Sequence, residues 1–155
     1  MRTAFLRLSL ALLASAAGVI GCQSDSASSQ SAAPAGLPGG IWGTWVLETV
    51  DGVPVSEMME PSLRSPTITI LDDGTVHGFS GVNNFNSSVS PVSIQNGVFE
   101  LSPTAMTMMA GPPDAMRVET RFMSDLQSVN GYVVQGNTLS LTEGGMTLMT
   151  FSRGS

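Results

Sequence analysis

The sequence predicts an α+β domain in which strands dominate: one mostly antiparallel sheet, with a barrel-like form among its options, and a single helix packed across it. Three observations carry that prediction. Short runs with apolar residues at alternate positions are separated by Asp/Gly turn signals. One segment repeats apolar residues at helical spacing. The stretch over residues 41–153 has the length of a single domain with a single core.

The elements follow in chain order. Arg2 and Arg7 stand ahead of an apolar run over residues 8–20, broken only by small residues such as Ser9, Ser15 and Gly18. That is the three-part pattern of a secretory signal peptide. The run is shorter than the roughly 20 residues a membrane-spanning helix needs and stops at Cys22, so residues 1–21 are expected to be cleaved off. Residues 22–40 turn to Ser, Ala, Gly and Pro, with too little apolar surface to offset the cost of ordering the chain. A tether results, flexible through Gly and Ser and stiffened at Pro34 and Pro38.

Within residues 41–153, the run 42–50 alternates Trp45, Leu47 and Thr49 against Val46 and Val50 and ends at Asp51-Gly52, a first strand. Residues 67–71 and 75–79 flank Asp72-Asp73-Gly74 and predict a hairpin. Residues 97–101 predict a further strand. The runs 131–135, 138–142 and 146–152 are separated by Gly136-Asn137 and Glu143-Gly144-Gly145, so the chain closes in a meander. Between these groups, Pro112-Pro113-Asp114 leads into residues 115–129. There Val118, Phe122, Leu126 and Val129 recur at helical spacing, with Asp114 placed to cap the first turn.

Charge excludes one class of partner. After residues 1–21 the chain keeps twelve acidic residues, no lysine and the arginines 64, 117, 121 and 153, a net charge of −8. Such a surface is repelled by nucleic acid and by anionic headgroups. Cys22 is the only cysteine, which excludes an intramolecular disulfide and a thiol metal cluster.

Val19-Ile20-Gly21-Cys22 resembles the lipobox of bacterial lipoproteins. The resemblance implies a diacylglyceryl thioether on Cys22, with a further acyl chain such as palmitate on the new amino terminus. Two or more chains anchor a protein stably, so the expected partner of this end is the membrane. Gln23, where inner-membrane lipoproteins tend to carry Asp, favours the outer membrane of the cell envelope by analogy.

Three further stretches, WVLETVDGVPV (45–55), GFSGVNNFNSS (78–88) and AMTMMAGPP (105–113), resemble the META/HslJ family of small bacterial envelope domains. A helix and a final strand pair follow in the family's arrangement, and the resemblance covers nearly all of residues 41–153. Together with the anchor, the acidic charge and the lack of a catalytic constellation, it leads to the expectation of a non-catalytic envelope lipoprotein without cofactors. Its expected role is envelope maintenance or stress response, through an envelope protein, wall or lipid partner. The family-motif residues are Gly81, Asn83, Asn84, Phe85, Met106 and Thr107. Many members carry Cys before the Asn of the central motif and before the Pro of the third; here those positions are Val82 and Gly111. If the two family thiols are close in space, their joint loss is what coupling predicts, and Val82 is expected to pack near Gly111.

The candidate chemistry is thin. Met106, Met108, Met109, Met116 and Met123 suggest thioether ligands for Cu(I), against a plainer reading in which Met106 and Met108 share a strand face and Met116 and Met123 fill gaps in the core. Gly78-Phe79-Ser80-Gly81 lacks the G-x-S-x-G spacing of a nucleophile turn, and His77 on a strand would project away from Ser80. Asp72-Asp73 reads as a solvated hairpin tip rather than a calcium loop. Asn83, Asn84 and Asn86 around Phe85 read as pins of an irregular turn or bulge after the hairpin. A second functional expectation is a carrier whose cavity, lined by Phe79, Phe85, Met and Val residues, takes a small apolar ligand.

Overall fold

A computed structural model describes residues 40–154. The expected signal peptide, Cys22 and the tether before Gly40 lie outside these residues. The chain runs β1 (Gly43–Val50), β2 (Val53–Pro54), α1 (Val55–Met58), β3 (Thr67–Ile70), β4 (Thr75–Phe79) and β5 (Asn84–Ser88). It continues through α2 (Pro91–Gln95), β6 (Ala105–Met106), α3 (Pro113–Ser128), β7 (Gly131–Gln135), β8 (Thr138–Glu143) and β9 (Met146–Arg153). All nine strands join one antiparallel sheet in the order β6-β5-β4-β3-β1-β9-β8-β7, with β2 folded back on β1. The path ends at β6 and β7 without their meeting, so the sheet is open and not a barrel.

Alternation decides which face is buried. Trp45 pairs with Ile68, Ile68 with Gly78, and Gly78 with Phe85, a row of core positions across four strands. On the other half, Leu47 pairs with Phe151 and Phe151 with Leu139. Period-two reading sends Val50 to the face opposite Trp45 and Leu47, yet all three are buried. A register shift against β9 between Leu47 and Thr49 supplies the reason. One extra residue in a strand re-aims everything after it.

Helix α3 covers the buried face of the sheet. Val118, Phe122 and Leu126 are fully buried, and the Phe122 ring lies 5.8 Å from Phe85 and 6.3 Å from Phe151, tying both halves of the sheet to the helix. Burying one such ring contributes about 1.5–3 kcal/mol. The core residues run from Ile41 to Phe151, so the described residues carry a core of their own, and residues 32–155 should fold when made alone. Arg153 closes the end where the chain enters. Its guanidinium lies 4.2 Å over the Trp45 ring and donates to the carbonyls of Trp42 and Gly40 at 3.1 and 2.8 Å.

The Phe85 ring occupies the space above Gly78. A Cβ at position 78 would stand 2.1 Å from the Thr67 carbonyl oxygen and 2.7 Å from the Phe85 ring. Gly78→Ala should therefore destabilise the domain by about 2–3 kcal/mol, through overpacking rather than lost contact. Urea unfolding of the variant beside the parent checks this, and an unchanged midpoint would contradict it.

The structure corrects four expectations. Residues 97–101 are not a strand: Gly97 has φ +79° and pairing is limited to a Val98–Gly131 bridge, while Phe99 is buried as an anchor. Asp114 is not the N-cap of α3. Pro112 holds that position without a side-chain bond, and Asp114 accepts instead from the Ala115 and Glu60 amides. The Asn-rich stretch is irregular only up to Asn83; from Asn84 it is the strand β5. Met106 and Met108 share no strand face, because β6 ends at Met106. The short α2 also went unexpected, although Ser90 caps it by accepting from the Ser93 amide and Pro91 opens it.

Candidate functional site: a buried polar junction

The second and third motif regions and α3 meet at one point, built outward from the turn between β4 and β5. The Ser80 amide donates to the Asn83 carbonyl at 2.8 Å, closing the turn. Gly81 has φ +120°, and a Cβ there would stand 3.2 Å from the Ala115 carbonyl of α3. Both the backbone angle and the helix contact call for glycine.

Asn83 is the hub and is 2 % exposed. Its Nδ2 donates to Glu119 Oε1 at 2.9 Å and to the Met109 carbonyl at 3.1 Å. Its Oδ1 accepts from Thr107 Oγ1 at 2.8 Å and from the Met109 amide at 2.7 Å. That exhausts the hydrogen-bonding capacity of a carboxamide. Thr107 then clasps Asn84 by backbone and hydroxyl at 3.0 and 3.1 Å.

Glu119 closes the junction from the helix. Its Oε2 accepts from Ser80 Oγ at 2.5 Å, from the Asn83 amide at 2.8 Å and from the Val82 amide at 3.3 Å. Burial acts to raise the Glu119 pKa, but the bonds from Ser80, Asn83 and Val82 outweigh it and hold the carboxyl below its ordinary value. The carboxylate is thus stabilised as the anion, with both oxygens bonded by the chain itself. Glu119 was not among the candidates read from the sequence. Its signal was there: it follows Ala115 by four and precedes Phe122 by three, a charged residue on the apolar stripe of the helix.

The remaining motif residues separate into those turned inward and those left outside. Phe85 is buried in the core, whereas Asn84 is exposed and engages only through its backbone. Met106 is 39 % exposed, with its sulfur 3.9 Å from the Ser80 hydroxyl. Met108 is 95 % exposed, Met123 is buried and Met116 is on the surface of α3, so these methionines occupy different environments. Among the described residues no cluster of His, Cys, Asp or Glu could hold a metal ion. His77 faces outward from β4, while Ser80 is buried and committed to Glu119. Asp73 shapes the exposed hairpin tip by accepting from the Thr75 amide at 2.8 Å, which lowers its pKa. A recess of about 320 Å³ on the outer sheet face touches Phe79 and Phe85, together with His77 and Arg64. Arg64 stacks 4.7 Å over Phe79 there.

Val82 and Gly111 are neighbours. A Cβ at position 111 would lie 3.3 Å from the Val82 Cβ and 2.7 Å from one of its methyls. The valine side chain fills the space beside the glycine.

The junction separates two asparagines that look equivalent in the sequence. Asn83→Ala leaves several buried donors and acceptors without partners and should cost about 2–3 kcal/mol. Asn84→Ala should stay within about 0.5 kcal/mol, as exposed substitutions do. Thermal melts of both variants check the contrast, and equal losses would contradict it.

Comparison with known proteins bears on the fold and the family. Residues 41–155 match the family model described as META domain. One solved NMR structure superposes with a TM-score of 0.52 at 23% identity, covering 72% of this chain and 88% of its own. Another, from Burkholderia xenovorans, gives a TM-score of 0.56 at 20% identity, covering 73% of this chain and 82% of its own. These two likenesses concern the fold. No curated protein matches the chain.

Proposed function

The chain belongs to the META domain family, and from that premise we propose that it is a non-catalytic, membrane-anchored envelope lipoprotein. It serves envelope maintenance or stress response by binding a partner. The observation that carries this reading is the direction of the motif's polar groups. Ser80, Asn83 and Glu119 are all buried and bonded to one another, so the motif secures the fold. A buried polar network satisfied throughout rigidifies a scaffold. Recognition then falls to the exposed surface around it.

The anchoring half of the reading rests on Arg2, Arg7, the apolar run and the Val19-Ile20-Gly21-Cys22 stretch. Its test is metabolic labelling with an alkyne-bearing palmitate, followed by membrane fractionation. The parent should carry label and sediment with the outer membrane, and Cys22→Ala should lose the label. Label on the Cys22→Ala form would overturn the assignment of the anchor. The binding half is tested by crosslinking and pull-down from native membranes. Recovery of the same partner by the parent and by Cys22→Ala supports recognition by the domain; loss with Cys22→Ala assigns it to the anchor.

A further inference from the structure

A groove of about 710 Å³ runs between α3 and the turn that joins β1 to β2. Its apolar lining includes Val50, Val53, Met58 and Met116, of which Val53 and Met116 are 42 % and 40 % exposed. The volume is that of a small-molecule site. Methionine walls adapt to the shape of an apolar guest.

The charges in the groove are unevenly committed. Arg121 pairs with Asp51, another lining residue, and its Nε lies 3.7 Å from Asp125. Arg117 lines the same groove and makes no ion pair among the described residues. Its neighbour Asp114 is turned to the Glu60 amide at 3.1 Å. Apart from a longer-range attraction to Asp114, this guanidinium is unpaired among the described residues and stands at an apolar trough, on a domain that is otherwise strongly acidic.

We infer that this groove binds a single-chain amphiphile with an anionic head, of the fatty-acid carboxylate class. The head pairs with Arg117 and the tail lies along Met58, Met116 and Val53, over the buried Val50. Charge complementarity selects the head, because a guanidinium fork matches a carboxylate. The lining selects the tail. Apart from the charged groups, Thr120 and Ser124 are the only hydroxyl side chains that line the groove. A peptide would bring backbone donors and acceptors that need partners, and an alkyl chain brings none. The inference rests on the reading of this domain as a binding module and names one ligand class for it.

The test uses residues 32–155 with 13C-methyl methionine, titrated below the micellar concentration with decanoate, decanol and decyltrimethylammonium. Decanoate should shift the Met58 and Met116 methyls and leave Met108, exposed elsewhere, unmoved. It should bind about tenfold more tightly than decyltrimethylammonium, and Arg117→Ala should remove that preference without moving the melting temperature. Met116→Asp should abolish binding. Absence of shifts at Met58 and Met116, equal binding of the cationic and anionic probes, or matching shifts at Met108 would each overturn the inference. Partner recovery in the pull-down with decanoate inactive removes the groove and keeps the binding module. Decanoate bound with no partner recovered keeps the groove and removes the macromolecular partner.

Discussion

Glu119→Ala is expected to destabilise the domain by about 3–5 kcal/mol, a large part of the roughly 5–15 kcal/mol that holds a domain together. Four hydrogen bonds end on this carboxylate, from the Ser80 hydroxyl, the Val82 and Asn83 amides and the Asn83 side chain. Truncation removes the acceptor and leaves buried donors unpaired, which costs more than the net value of the bonds. The melting temperature should fall by roughly 10–20 °C. A fall of only a degree or two would show that water replaces the carboxylate and that the junction is not what secures the turn.

The same residue sets a sign for pH. Because its pKa is lower in the folded protein than the ordinary 4.5, the unfolded chain binds more protons in that window. Stability from Glu119 is fully present above the ordinary value and is lost as pH falls through the folded one. Asp73 and Asp114 shift in the same direction, whereas burial raises the Asp125 pKa and opposes them. Glu119→Gln isolates its share. The stability gap between parent and Glu119→Gln should narrow on acidification below the ordinary glutamate range, and a constant gap would contradict the shift.

The second large effect is a gain. The Val82→Cys, Gly111→Cys double variant should form a disulfide under mild oxidation, because the separation of 3.3 Å between Cβ positions is close to the usual 3.5–4.5 Å. The bridge closes a loop of about 30 residues, worth about 3–4 kcal/mol in the chain-entropy account. Residues 32–155, free of Cys22, suit the experiment: thiol titration should fall to zero, and reductant should lower the melting temperature by roughly 10 °C. Two titratable thiols persisting in the folded, oxidised sample would show that the side chains diverge. The result also bears on why Val82 and Gly111 stand together, since a branched side chain beside a glycine occupies the room that two cysteines would share.

What the sequence revealed depended on how much local pattern each element carries. The β3–β4 hairpin and the β7–β9 meander were legible because apolar residues alternate between clear turn signals. Helix α3 was legible because Val118, Phe122 and Leu126 mark one face. Strand β5 was not, since Phe85 is its one large apolar residue among Asn and Ser; pairing with β4 makes it a strand. The reverse holds for residues 97–101, where alternation is present but pairing stops at the Val98–Gly131 bridge. Helices α1 and α2 are too short for periodicity to register. At the site, Asn83 was legible as a structural asparagine, but its difference from Asn84 was not. That difference exists only once Thr107, Met109 and Glu119 arrive from distant parts of the chain.

The position of β1 has a mechanical consequence. It lies between β3 and β9, antiparallel to both, and the chain enters it beside the Arg153 clasp. A pull at Gly40 against a hold on the far end of the sheet loads both ladders at once, in shear. A pull between Gly40 and Arg153, at the same end because Trp45 pairs with Arg153, opens the β1–β9 ladder one bond at a time. The domain should therefore withstand a load borne across its sheet far better than one applied between its own termini.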